Sequence, residues 1–146
     1  MYIKRGTMTK RQGSVALTAA DYAVLARFRF LLRGFVAFSE DAARAAGLTP
    51  QQHQALLAIK GMAPAGTFKV GDLAECLQIR HHSAVGLVDR LEEGGLLKRK
   101  PDPADRRRIH LLLTARAERL LARLSAIHRD ELRRLSKDLK PLLAAL

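Results

Sequence analysis

At 146 residues the chain is long enough for one domain with a buried core and too short for a typical multidomain enzyme. Twenty-six Lys and Arg against fourteen Asp and Glu leave a charge of +12, which attracts polyanions and makes nucleic acid or an anionic membrane the expected partner. The 48% hydrophobic content excludes a disordered basic tail, no stretch approaches the ~20 uninterrupted apolar residues of a membrane span, and the single cysteine excludes an internal disulfide and a Cys-rich zinc site, which fits a reducing compartment.

Residues 1–17 read as a flexible basic arm carrying Lys4, Arg5, Lys10 and Arg11, with Met8 as an alternative start. Asp21 and Arg27 interrupt the apolar stretch that follows, which argues against a signal peptide. From Thr18 the pattern is helical: Thr18 caps, Asp21 stands three residues on, and Val24, Phe28, Leu31, Leu32, Phe35 and Phe38 follow, with Gly47 ending the helix. Four of the five phenylalanines lie on this helix, more aromatic surface than one small core uses, so part of it is expected to meet another subunit.

Thr49, Pro50 and Gln52 open a second helix as cap, first helical residue and capping-box partner, and Leu56, Leu57 and Ile59 give its buried side. Residues Gly61 to Gly66 form a loop, and Phe68 to Val70 read as a short strand leading out of it. Val70, Leu73, Ala74 and Leu77 then recur at helical spacing. After a break at Gln78 and Ile79, so do Ala84, Leu87, Val88 and Leu91, and the result is a helix-turn-helix candidate.

Gly94 and Gly95 stop that helix. Leu96 to Lys100 and Arg108 to Leu113 read as two strands, joined by Pro101-Asp102-Pro103-Ala104-Asp105, whose prolines continue neither ladder and must turn. Thr114 caps a last long helix with Leu121, Leu124, His128, Leu132, Leu135, Leu139, Leu142 and Leu146 along one seam, and Pro141 is expected to break or kink it. A helix of that length outruns so small a core, so its seam is expected to bury against the first helix of a second chain.

Six basic residues crowd the hairpin: Lys98, Arg99, Lys100, Arg106, Arg107 and Arg108. Arginines flanking its tip are placed to enter a narrow minor groove and to touch phosphate, and Asp105 is expected to orient one of them by pairing with Arg107 or Arg90. An edge charged against aggregation would carry similar residues. The helix from Arg80 to Glu93 suits the ~12 Å major groove. Its first turn offers Arg80, His81, His82 and Ser83, Gly86 allows close approach, and Arg90 flanks the exposed face, while Asp89 and Glu93 stay away from phosphate. Adjacent histidines on a helix make a poor chelate, so His81 and His82 are read as DNA contacts or as an ordinary exposed pair, and no metal is expected.

From about Leu48 to Leu121, with the helical flanks extending the match to roughly 18–146, the chain resembles the MarR-family winged helix-turn-helix transcriptional regulators. The matching residues are Leu73-Ala74, the run from Val85 to Leu97 containing Asp89-Arg90-Leu91-Glu92, and the wing Pro101-Asp102-Pro103-Ala104-Asp105-Arg106-Arg107-Arg108. The resemblance implies a mainly α fold with a small β-hairpin wing. It divides the chain into the arm 1–17, an N-terminal dimerisation helix 18–47, a winged helix-turn-helix DNA-binding lobe 48–113 and C-terminal dimerisation helices 114–146.

The resemblance further implies a cytoplasmic homodimer on a pseudo-palindromic double-stranded DNA operator, acting as a repressor of nearby genes. The helix 80–93 would then lie in the major groove and Arg106 or Arg107 in the minor groove. A small aromatic or lipophilic effector would bind between the dimer helices and the lobe, where Arg33, Phe35, Phe38 and His53 are candidates alongside ordinary packing. Gln78 stands where relatives often have glycine, and Arg80-His81-His82 where they often have Ser or Thr, so the preferred DNA sequence does not carry over. Cys76 reads as a small packing residue. No phosphate loop, zinc-binding helix or nucleophile elbow occurs, so neither an enzyme nor a cofactor is expected. The alternative reading is a non-specific architectural nucleic-acid-binding protein.

Overall fold

The computed structural model describes residues 16–64 and 66–146. Most of the basic arm, with Met8, lies outside the described residues; Ala16 and Leu17 are exposed and belong to no helix or strand.

The elements begin where the sequence supplies caps. Helix α1 (Ala19–Ala45) opens on a capping box, in which the Asp21 amide donates to Thr18 Oγ1 at 3.2 Å and the Thr18 amide to Asp21 Oδ2 at 2.7 Å. It closes with Gly47 at φ +81°, which lets the Leu48 amide reach back to the Ala43 carbonyl at 2.9 Å. Helix α2 (Pro50–Gly61) opens on the reciprocal Thr49–Gln52 pair, with bonds of 3.1 and 2.9 Å.

Helix α3 (Val70–Leu77) and helix α4 (His81–Glu93) form the helix-turn-helix. At its turn Gln78 takes the left-handed conformation, φ 54° and ψ 42°, and the Ile79 amide donates to the Ala74 carbonyl at 3.0 Å. The structure thus keeps the tight turn with a side-chain-bearing residue in a region that favours glycine.

Strands β1 (Leu97–Pro101) and β2 (Ile109–Leu113) pair antiparallel, Leu97 opposite Leu113 and Pro101 opposite Ile109. Contrary to the expectation that both prolines lie in the turn, Pro101 is the last residue of β1. The Asp102 amide donates to the Arg108 carbonyl at 2.8 Å, which makes Pro101 and Ile109 a non-hydrogen-bonded pair, so the missing proline N–H breaks no ladder bond. The strand expected at Phe68–Val70 is not formed. Phe68 is buried and its carbonyl accepts one bond from the Leu111 amide, 2.8 Å, but the chain then turns into α3, where the Lys69 amide is capped by Asp72.

Helix α5 (Ala115–Ala144) is capped by Thr114, whose hydroxyl accepts from the Ala117 amide at 3.2 Å and donates to the Gly95 carbonyl at 2.8 Å. Two expectations are corrected here. Pro141 does not end the helix, and 114–146 hold one helix rather than several. So close to the end, proline forfeits a single intrahelical bond. The first partner of α5 is α1 of the same chain, joined by a His128–Ser39 hydrogen bond of 2.8 Å.

The core lies where α2, α3, α4 and the hairpin meet the first half of α5, around Leu56, Phe68, Leu73, Leu87, Leu91, Leu97 and Leu111. Each such leucine contributes about 1.5–3 kcal/mol by leaving water. The lobe is therefore a stable base from which the exposed start of α4 and the hairpin tip project.

Candidate nucleic-acid interface

Arg80 is the N-cap of α4 and carries no side-chain cap bond; Arg80, His81, His82 and Ser83 are all exposed. The Ser83 amide donates to the Arg80 carbonyl at 3.0 Å, while those of His81 and His82 have no acceptor inside the helix, so this end presents N–H groups, the positive end of the helix dipole and two imidazoles together. On the same face Arg90 lies beside Gly86: a Cβ built at Gly86 would stand 3.5 Å from Arg90 Nη1, ordinary contact. The space at Gly86 is therefore shared with a flexible cation.

The hairpin tip carries Arg106, Arg107 and Arg108, all exposed, Arg107 at 97%. Asp105 Oδ1 accepts from the Arg107 amide at 3.1 Å, and its carboxylate stands 3.8 Å from Arg107 Nε and 3.7 Å from Arg108 Nε. Asp105 thus turns toward the wing arginines and not toward Arg90. Asp102 organises the other side of the tip, where its carboxylate accepts from the Ala104 amide at 2.7 Å and from His110 Nε2 at 2.9 Å. The His110 bond holds this carboxyl below the usual carboxylate range, with the Ala104 bond next in effect.

Lys98 and Lys100 are exposed, but Arg99 between them points the other way. Its guanidinium donates from Nη2 to Asp89 Oδ1 at 2.5 Å and from Nη1 to Glu92, both on α4. The sequence reading placed Arg99 with the DNA-facing cations; the structure commits it to these two acids. Basic residues in a run look alike in sequence, and only the alternation of the strand separates Arg99 from its neighbours.

Of the four effector candidates, Phe35, Phe38 and His53 come together around a residue read only as a seam position, His128. Its ring lies 6.2 Å from Phe35, 5.5 Å from Phe38 and 4.8 Å from His53, centroid to centroid. His128 Nδ1 faces the Leu124 carbonyl at 2.6 Å and Nε2 the Ser39 hydroxyl at 2.8 Å. Burial, and next the neighbouring His128, pushes the His53 imidazole below its ordinary value. Beside the pair opens a groove of about 400 Å³, lined by His53, Leu57, His128, Arg129, Leu132 and Arg133 among others. Arg33 is not part of it and instead borders a separate shallow face of α1 with Arg29, Val36 and Glu40. A histidine interrupting the leucine seam of α5 was the signal available in the sequence.

Among the described residues no group of three or more His, Cys, Asp or Glu gathers to hold a metal ion, and no described helix is long and apolar enough to cross a membrane. Cys76 is half-buried against the core, and burial, followed by Asp72 and Glu75, pushes its thiol up, away from the reactive thiolate.

A MarR family model matches residues 46–108. The chain is 38% identical over 89 residues to the uncharacterized HTH-type transcriptional regulator YcgE of Bacillus subtilis, a match that covers 60% of this chain and 56% of that protein. It thus spans little more than half of that curated relative. Among solved structures, the transcriptional regulator Tm0710 of Thermotoga maritima is 30% identical, with a TM-score of 0.56 and 78% and 81% of the two chains covered. A point mutant of S. aureus MepR bound to an oligodeoxyribonucleotide shares the fold at a TM-score of 0.65 and 20% identity, covering 85% of this chain and 96% of that one.

Proposed function

This chain belongs to the MarR family, and we propose that it is a dimeric, sequence-specific DNA-binding regulator of transcription, a cytoplasmic repressor of nearby genes. The observation that carries the reading is the pairing of two DNA-facing elements on one lobe: the exposed, electropositive start of α4 and the arginine tip of the β1–β2 hairpin. The first suits the major groove, where His81, His82 and Ser83 meet base edges and Arg80 and Arg90 meet phosphate. The second suits the adjacent minor groove, with Arg106 or Arg107 inserted and Lys98, Lys100 and Arg108 on the backbone. That the structural neighbour MepR is bound to an oligodeoxyribonucleotide supports DNA as the partner.

Dimerisation is favoured by what α1 and α5 leave uncovered. Tyr22, Leu25, Phe30 and Val36 on α1, and Ile127, Leu132 and Leu143 on α5, are exposed, a quantity of apolar surface that a second copy would bury. Two-fold symmetry then sets two half-sites about one helical turn apart, ~34 Å. The groove beside His53 and His128, with Leu57 and Leu132 as apolar walls and Arg129 and Arg133 as cations, suits a small aromatic or lipophilic anion, which would release the protein from DNA.

Selection of duplexes from a randomised pool, followed by binding measurements at physiological salt, tests the reading. An inverted repeat bound at least a thousandfold more tightly than a shuffled duplex is the expected result. Equal binding of both would leave an architectural nucleic-acid-binding protein as the better description.

A further inference from the structure

His110 is the residue of the hairpin that DNA contact leaves unexplained. It sits on β2 behind the tip, its side chain 15% exposed, and its Nε2 lies 2.9 Å from Asp102 Oδ2. With a carboxylate as the acceptor, Nε2 carries the proton, and Nδ1, as donor or acceptor, needs a partner of its own. Nδ1 is buried, and among the described residues it has no hydrogen-bond partner. A buried polar atom without a partner lowers stability, and an apolar side chain in its place would not. The histidine therefore has a cost in the folded state, and its one bond leads from the hairpin face it shares with Lys100 to the loop that carries the arginines.

We propose that His110 is a positioning residue for DNA binding: its Nε2–H holds the Asp102 carboxylate, and Asp102 in turn sets the shape of the wing tip that presents Arg106 and Arg107. The inference rests on the DNA-binding reading above. Asp102 is suited to the part because three bonds leave it in different directions. Its carboxylate takes His110 Nε2 and the Ala104 amide, and its own amide closes the loop on the Arg108 carbonyl at 2.8 Å. The loop between those bonds is the segment from Pro103 to Arg107, and Arg107 itself, 97% exposed, is met there by Asp105, which belongs to the same loop. An arginine that must enter a groove only about 6 Å wide loses less freedom on binding when the loop beneath it is already fixed. The pair thus raises affinity without touching DNA.

The test uses the full chain, the tightest duplex recovered from the randomised pool and a shuffled duplex of the same composition. His110→Leu is expected to weaken binding to the selected duplex about tenfold, as the loss of one charge-assisted bond would. Its salt slope should stay that of the wild type, because no phosphate contact is lost, and its Tm should not fall, because the orphaned Nδ1 is gone. His110→Gln, which puts an amide N–H near the Nε2 position, should restore most of the affinity. Combined with Asp102→Ala, His110→Leu should add no further loss.

A His110→Leu variant that binds like wild type overturns the proposal, and so do losses that add in the double variant. A fall in Tm that tracks the fall in affinity also overturns it, since His110 would then be a structural prop. A wild-type protein that does not separate the selected from the shuffled duplex removes the regulatory reading, and this inference with it.

Discussion

Arg99 on β1 and Asp89 on α4 meet at 2.5 Å between Nη2 and Oδ1, and the same guanidinium also binds Glu92, so one side chain ties the hairpin to the helix beside it. The Arg99 charge is held still more firmly by this hydrogen bond to Asp89. Two half-exposed acids beside the hairpin are thereby partly neutralised.

The first prediction follows from that geometry. Arg99→Gln should lower affinity for the selected duplex while leaving the salt dependence unchanged, because this guanidinium is committed to carboxylates. The pair is 29% and 49% exposed, so its loss should cost only about 1 kcal/mol of stability. Titrations at several salt concentrations decide the matter. A slope shallower by about one unit would return Arg99 to the phosphate-contacting residues.

A second prediction concerns the turn between α3 and α4. Gln78 at φ 54° carries a Cβ in left-handed backbone, which costs about 1–2 kcal/mol, whereas glycine gives back part of the gain through its freer unfolded chain. Gln78→Gly should therefore raise stability by up to ~1 kcal/mol, a few degrees in Tm for a chain of this size. DNA affinity should hardly change, since the turn already has the required shape. A lower Tm would mean that the Gln78 side chain makes a contribution of its own.

A third prediction separates the wing arginines from the clamp. Arg107→Ala should leave stability within about 0.5 kcal/mol of wild type, as expected of an exposed side chain. It should weaken binding to the selected duplex and, if the guanidinium meets a phosphate, reduce the salt slope by ~0.9. Thermal melts and fluorescence anisotropy on the same preparation give both numbers. Unaltered affinity would exclude Arg107 from the interface.

Much of this arrangement could be read from the chain because its signals are local. Thr18 with Asp21, and Thr49 with Gln52, state their helix starts within four residues, and glycines at 47 and 95 state where the chain must reverse, at φ +81° and +69°. What could not be read depends on partners far away in sequence. The seam of α5 declares an apolar face but not which helix covers it, and the first helix to do so is α1 of the same chain. The basic run from Lys98 to Lys100 declares charge but not direction, and Arg99 faces two acids seven and ten residues earlier. His128 sits in a seam that periodicity assigned to packing, and His110 on the strand face opposite Leu111, and their hydrogen bonds appear only once α1 and the tip loop are placed against them.

The last prediction uses the histidine pair between α1, α2 and α5. His53 is 3% exposed, and its imidazole titrates below its ordinary 6.5 because of burial and then because of His128. The folded state thus favours neutral His53, and the unfolded chain binds the extra proton first. Stability from this site is complete above pH 6.5 and declines as pH falls from there through the lower folded value. Arg129 and Arg133, which line the same groove, add cations, and Asp130 stands 3.7 Å from Arg133 Nη1. Urea midpoints should therefore drop between pH 7.5 and 5.5 in the wild type, and drop less in His53→Gln, which cannot take up the proton. If DNA release is measured alongside, acidification should weaken binding more in the wild type than in that variant, because the junction loosened by the proton joins the long helices to the lobe. Parallel pH dependence in the two proteins would show that the proton acts elsewhere.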